Sequence, residues 1–200
     1  MVKELLPLLK KGAELRGEAR IVHQSSMARR GAGTSASSPG LEASYFEKKG
    51  GDLGGDSPGW MGPMSQRYSQ SKLANSVFTM ALKEKLEGTN VKAVVAAPGV
   101  TSTGMLDSAM KSVHRVSFSD SIVSFLLGRV AQSAEDGSMP LLAACFDPST
   151  ESGDFWEPEN CNNCFGPAVK VKKVDEKSIN PDNSKLLWAK SEEAVGRIEI

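Results

Sequence analysis

The 200-residue chain predicts an α/β domain: part of a doubly wound parallel sheet with flanking helices. Three observations predict it. Ala19 to Gln24 and Val91 to Ala97 are short apolar runs bounded by turn residues, and the second is apolar enough for a strand buried on both faces. Between them, Ser65 to Leu86 carries its apolar residues at helical spacing. Strands and helices that alternate in this way favour parallel strands joined by helical crossovers.

In chain order, Lys3 to Lys11 reads as the last turns of a helix, followed by a Gly/Glu/Arg loop. The first strand runs through Ile21-Val22 into Ser25-Ser26. From 31 to 62 the composition turns to Gly, Ser, Pro and acidic residues, which predicts a long insertion loop, partly flexible. In the helix that follows, Leu73, Val77, Met80 and Ala81 form one apolar row, and Ala74, Phe78 and Leu82 a second. Gly88 is placed to stop it. Pro98-Gly99 ends the second strand. Helices are expected around Ile122 to Arg129 and from Ala134 to Phe146, the latter capped by Ser133 with Glu135 and Asp136 in its first turn. Ser152 to Glu157 reads as a short strand, Val169 to Val174 as an edge strand and Ser184 to Val195 as a terminal helix. Residues 1–200 are taken as one domain, with 151–200 as its C-terminal segment.

Lys+Arg and Asp+Glu each total 24, so the net charge is zero and gives no reason to expect a nucleic-acid partner or an anionic membrane surface. No apolar run approaches the roughly 20 residues that cross a bilayer, and Met1 to Lys11 lacks the order of a secretory leader. The three cysteines, Cys145, Cys161 and Cys164, are too few for a disulfide framework and fit a reducing, cytoplasmic setting. Cys161-Asn-Asn-Cys164 lacks a second pair or nearby histidines, so two unrelated thiols are expected there and no metal site.

The chemistry concentrates in Tyr68-Ser-Gln-Ser-Lys72-Leu-Ala-Asn75. Residues four apart share a helix face, so Lys72 lies one turn from Tyr68. A free phenol, with a pKa of about 10, is a poor base at neutral pH. An ammonium fixed at about 4 Å favours the phenolate by about 4 kcal/mol at an effective dielectric near 20, or about three pKa units before desolvation opposes it. That brings a tyrosine towards the range where a general acid/base works best. Ser26, at a strand end, is placed to donate a hydrogen bond to a carbonyl or alkoxide. Pro98-Gly99-Val100 fits a backbone turn passing close to a flat ligand, at the strand ends where such folds bind ligands. A second Tyr/Lys pair, Tyr45 and Lys49, runs into Gly50-Gly51 with no helix to carry it and is rejected. His23 and His114 beside Ser26 lack the Gly-x-Ser-x-Gly elbow of a hydrolase.

On these residues the chain resembles the short-chain dehydrogenase/reductases, in particular the retinol-dehydrogenase-like and WW-domain-oxidoreductase-like group. The resembling pieces are Arg20-Ile-Val-His-Gln-Ser-Ser26, Tyr68 to Asn75, Pro98-Gly-Val-Thr-Ser-Thr103, Ala131 to Gly137 before Pro140-Leu-Leu, Gly153-Asp-Phe-Trp, and Leu187-Trp188 before Ser191-Glu-Glu. The resemblance implies a Rossmann-type fold and an NAD(P)-dependent oxidoreductase that interconverts an alcohol and a carbonyl. Tyr68 would be the acid/base, and Lys72 would lower its pKa and hold the nicotinamide ribose. Ser26 would orient the carbonyl, and Pro98, Gly99, Val100, Thr101 and Thr103 would line the nicotinamide and its nearby phosphate. It also implies NAD or NADP as cofactor, a small apolar carbonyl or alcohol as substrate, and is compatible with a homo-oligomer. The family's Thr-Gly-x-x-x-Gly-x-Gly turn and Asn-Asn-Ala-Gly stretch are absent from this sequence, and His23 and Gln24 depart from its usual residues. The alternative is therefore a truncated, catalytically inactive fragment or a partner-binding remnant of such an enzyme.

Overall fold

The computed structural model describes residues 1–33, 38–47, 63–101 and 131–200. The helix expected at Ile122 to Arg129, and Thr103, lie outside them. Helix α1 (Val2–Arg16) runs past its expected end at Lys11. Leu6 and Ala13, seven residues apart and so on one face, are both buried against the sheet, which carries the helix through Gly12. It stops at Gly17, whose φ of 90° only glycine adopts freely and whose N–H bonds to the Ala13 carbonyl.

Strand β1 (Ala19–Gln24) pairs parallel with β2 (Val91–Ala96) in unbroken register, Ala19 opposite Val91 and Gln24 opposite Ala96. Helix α2 (Pro63–Lys85) makes the crossover between them. Helix α3 (Ala134–Phe146) is capped as expected, the Ser133 hydroxyl accepting from the Asp136 N–H at 3.0 Å. β3 (Phe155–Asn160) continues the sheet parallel to β2. β4 (Phe165–Lys170) returns antiparallel to β3, so the described sheet, ordered β1-β2-β3-β4, is mixed and not wholly parallel. Helix α4 (Pro181–Val195) closes the chain, its Asn180 cap accepting from the N–H groups of Asp182 and Asn183.

Alternation in the strands divides the core between the two faces. Ile21, Val91 and Ala93 pack with Leu6, Leu82 and Leu86 under α1 and α2. Val94, Ala96 and Trp156 pack on the opposite face with Ala144 of α3. The parts of the 31–62 stretch that are described are well anchored. Ala32 and Leu41 are buried with Leu73 and Val77, the Leu41 N–H donates to Asn183 Oδ1, and Gln70 donates to the Gly40 carbonyl.

Candidate active site

β1 and β2 leave the sheet side by side at their carboxyl ends, since Gln24 is paired with Ala96 and neighbouring strands lie about 4.8 Å apart. Two residues beyond those partners come Ser26 and Pro98, so the register alone brings together two pieces that are 72 residues apart in the numbering. Helix α2 is stitched to the same end. The buried Ser25 hydroxyl donates to the Lys72 carbonyl at 2.8 Å and accepts from Ser76 Oγ at 2.8 Å. Asn75 Nδ2 donates to the Gln24 carbonyl at 2.8 Å, and Gln66 to that of Gly31. The first serine of the pair is thus consumed in fixing the strand end against the Lys72 turn. Ser26 is free for other work. Its hydroxyl accepts from the Ala28 N–H at 3.2 Å, which leaves its proton to donate.

Tyr68 and Lys72 lie on one face of α2, both half-buried. Lys72 Nζ sits over the Tyr68 ring, 5.6 Å from its centroid, within cation–π range. Burial lowers the pKa of Lys72, as desolvation does for any ammonium. Tyr45 of the rejected pair sits in a single 3-10 turn (Ala43–Phe46), and Lys49 lies outside the described residues.

His23 has a packing role. Its Nδ1 is 2.9 Å from Thr79 Oγ1, whose own proton goes to the Asn75 carbonyl, so His23 is the donor. Its ring meets Phe78 edge-on, Phe78 stacks on Trp188, and burial lowers its pKa.

The turn after β2 is tightly held, for a reason other than the one the sequence suggests. Gly99 has φ 74°, and a Cβ there would run into the Cys164 carbonyl oxygen and meet Pro158 Cγ at 2.8 Å. The close approach that demands glycine is thus to the β3–β4 hairpin of this chain itself. The Val100 N–H donates to the Cys164 carbonyl at 2.7 Å, and the Val100 carbonyl accepts from Gln132 N–H at 3.0 Å. Thr101 bridges to Gln132 and packs against Gly137 of α3. Pro98, Gly99, Val100 and Thr101 therefore offer a shaped wall beside Ser26. Gln132 was not singled out from sequence, yet its side chain ties the Pro98 carbonyl to the Gly166 N–H.

A second group escaped sequence reasoning. After Ser26 a 3-10 turn (Met27–Gly31) carries Arg29 and Arg30. Arg29 is fully buried and pairs with the fully buried Glu157 of β3 and, at 2.7 Å, with Asp175. Arg30 pairs with the other Glu157 oxygen at 3.0 Å and reaches the side-chain oxygens of Asn162 and Asn163. Burial raises the pKa of Asp175, but the Arg29 guanidinium and the Ser178 hydroxyl outweigh it and hold the carboxyl below its usual value. Two adjacent arginines directly after a strand end are the sequence feature that could have pointed to this.

A surface cavity of about 530 Å³ lies at the opposite end of the sheet, lined among others by Glu18, Lys83, Asn90, Lys92 and Glu151. It lies on the amino side of the strands, away from Ser26, Tyr68 and Lys72, where folds of this kind do not place their chemistry. Among the described residues no cluster of three or more His, Cys, Asp or Glu could hold a metal ion, and no helix is long and apolar enough to cross a membrane.

Helices on both faces of a mostly parallel sheet, with polar side chains gathered at its carboxyl ends, define a Rossmann-like α/β fold. A crystal structure of an uncharacterized protein from Mycobacterium Paratuberculosis shares it, with a TM-score of 0.56 and 22% identity over 90% of this chain and 52% of that one. No family model matches. By sequence the chain is weakly similar to retinol dehydrogenase 14, at 28% identity over 131 residues of the Mus musculus protein and 27% over 134 residues of the Homo sapiens protein. Those matches cover 64% and 66% of this chain, which spans about a third (35% and 36%) of the length of these curated relatives. The similarity is to an oxidoreductase of the short-chain dehydrogenase/reductase type, and it is coarse.

Proposed function

We propose that the chain carries the proton-transfer site of an NAD(P)-dependent oxidoreductase that interconverts an alcohol and a carbonyl, with Ser26, Tyr68 and Lys72 as its working residues. The observation that carries this reading is the Ser25 hydroxyl bonded to the Lys72 carbonyl. Through it the Ser26 strand end is held against the helix turn that presents Tyr68 and Lys72, at the carboxyl ends of two parallel strands.

In this reading the Ser26 hydroxyl donates to the substrate oxygen and orients it. Tyr68 passes its proton to that oxygen in the reducing direction and recovers it in the other. The Lys72 ammonium stabilises the negative charge left on the tyrosine. The donor set also fits the ribose end of a nicotinamide nucleotide, since Lys72 has three N–H donors and Tyr68 a hydroxyl beside it. Pro98, Gly99, Val100, Thr101 and Thr103 would flank that end. The Val100 N–H is already bonded to Cys164, so this turn would contribute shape and not that hydrogen bond. When bound, the nicotinamide supplies or accepts the hydride. The substrate is proposed to be a small apolar carbonyl or alcohol.

The second reading, a chain that keeps these residues without turning over, draws support from the absence of a Thr-Gly-x-x-x-Gly-x-Gly turn anywhere in the 200 residues. Such a turn would normally hold the pyrophosphate at a helix N-terminus. Incubating the chain with NADPH or NADH and a series of apolar aldehydes and ketones, while following nucleotide oxidation, separates the two. The first reading expects turnover that Tyr68→Phe reduces about 10²- to 10⁴-fold with nucleotide binding retained. A folded chain that neither binds nucleotide nor turns over substrate leaves the second.

A further inference from the structure

The β3–β4 hairpin turns through Cys161, Asn162 and Asn163, which have φ of 52°, 55° and 70°. Three consecutive non-glycine residues in the left-handed region are uncommon and need holding in place. The turn is held by bonds from outside and within. Arg30 grips the side-chain oxygens of Asn162 and Asn163, Asn163 Nδ2 donates to the Pro158 carbonyl at 2.8 Å, and the Cys164 N–H closes the turn on the Asn160 carbonyl at 2.9 Å. Left-handed helical backbone at the two intervening asparagines places the Cα atoms of Cys161 and Cys164 about 5 Å apart, inside the roughly 4.4–6.8 Å range that a disulfide spans. Cys161 is exposed and Cys164 half-buried, and both are free. Burial, and then the neighbouring Cys161 thiol, raise the pKa of Cys164.

We propose that Cys161 and Cys164 form a dithiol–disulfide pair whose oxidation locks the hairpin against the Pro98–Thr101 turn. The oxidant is a low-molecular-weight disulfide. The exposed Cys161 thiolate attacks one of its sulfurs, forming a mixed disulfide and releasing one small thiol. Cys164, on losing its proton, then displaces the second small thiol and closes the Cys161–Cys164 bond. The protein loses two electrons and two protons, and both small thiols gain them. The consequence is local. The Cys164 carbonyl holds the Val100 N–H at 2.7 Å and abuts Gly99, so a cross-linked turn fixes the wall next to Ser26 more firmly than the reduced one. This inference goes beyond the oxidoreductase reading and does not depend on it, because none of its tests involves nucleotide or turnover.

The intact chain is equilibrated with mixtures of reduced and oxidised glutathione, then alkylated and mapped by mass spectrometry. The expected result is joint loss of the Cys161 and Cys164 thiols with a single midpoint. The peptide bearing both should be lighter by two hydrogens, with Cys145 still alkylated. Cys164→Ser should trap glutathione on Cys161 about tenfold faster than Cys161→Ser traps it on Cys164, because only the former thiol is exposed. Amide exchange at Val100 should slow severalfold in the oxidised chain. Separate glutathione adducts on both cysteines of the wild-type chain, or thiols that remain alkylatable throughout, would overturn the pair. Unchanged Val100 exchange in a fully oxidised chain would overturn its coupling to the turn.

Discussion

At the carboxyl ends of β1 and β2 the chain buries hydroxyls, a guanidinium and a carboxylate; at their amino ends it buries leucines and keeps its charges near the surface. Ser25, Ser76 and Thr79 are almost wholly inaccessible at the first end, as are Arg29 and Glu157. At the other, Leu6, Leu82, Leu86 and Val91 form the packing. Glu18 there bonds to Lys92 and Arg20, which hold its carboxyl below the usual range, but it stays largely exposed. Apolar packing alone gives stability. Buried polar groups cost desolvation and are kept where they fix side chains in one arrangement. The difference marks the carboxyl end as the one built to position something, although a cavity of about 530 Å³ lies at the other.

The largest expected effect breaks the polar end. Arg29→Met leaves Glu157 buried with only Arg30 to answer it, and should cost about 3–5 kcal/mol in urea unfolding. Glu18→Gln, which removes the exposed carboxylate that pairs with Lys92 and Arg20 at the amino end, should cost about 1 kcal/mol or less. Equal costs would erase the distinction. Next, Leu82→Ala should cost about 2–5 kcal/mol through the cavity it opens between α1 and α2, while leaving the chemistry at the carboxyl end unaltered. Ser25→Ala is smaller, about 0.5–1.5 kcal/mol, since it removes the hydroxyl that bridges the Lys72 carbonyl and the buried Ser76 hydroxyl and leaves only their longer 3.4 Å contact. Unlike Leu82→Ala, it should also loosen the Lys72 turn, seen as faster amide exchange at Ser76, whose N–H bonds within that turn of the helix.

The smallest effect is a pH dependence. Burial holds the pKa of His23 below its ordinary value. Its contribution to stability is therefore present above the unfolded value of about 6.5 and is lost as pH falls below it. Asp175, also held low, loses its contribution only as pH falls below about 4. Urea midpoints at about pH 7.5 and about pH 5.5 should differ for the wild-type chain and converge in His23→Gln, leaving only the more acidic limb.

How much of this was legible beforehand follows from where the information lies. β1, α2, β2 and α3 obey local rules of periodicity, capping and apolar runs, and they fall within a few residues of where the sequence places them. The Tyr68–Lys72 face is legible for the same reason, because helical spacing is local. β3 begins three residues later than expected, at Phe155, because Ser152 to Asp154 form a turn with Gly153 at φ 92°. It also runs on past its expected end at Glu157, through Pro158 to Asn160, which no apolar pattern would admit. Glu157 was legible as a strand residue but not as a buried one, because its partners Arg29 and Arg30 arrive from a turn 128 and 127 residues away. β4 contains Gly166 and Pro167, which read as loop until the Glu157–Val169 pairing is seen. Likewise Gly99 was legible as a special position, but its partner, the Cys164 carbonyl, was not.

The most direct test is a calorimetric titration of NADPH into the wild-type chain, into Lys72→Ala at the carboxyl end and into Lys83→Ala beside the cavity at the amino end. The site proposed here predicts measurable binding that weakens at least about tenfold, or about 1.4 kcal/mol, in Lys72→Ala and is unchanged in Lys83→Ala. Binding that follows Lys83 instead, or no binding by a folded chain, would contradict it.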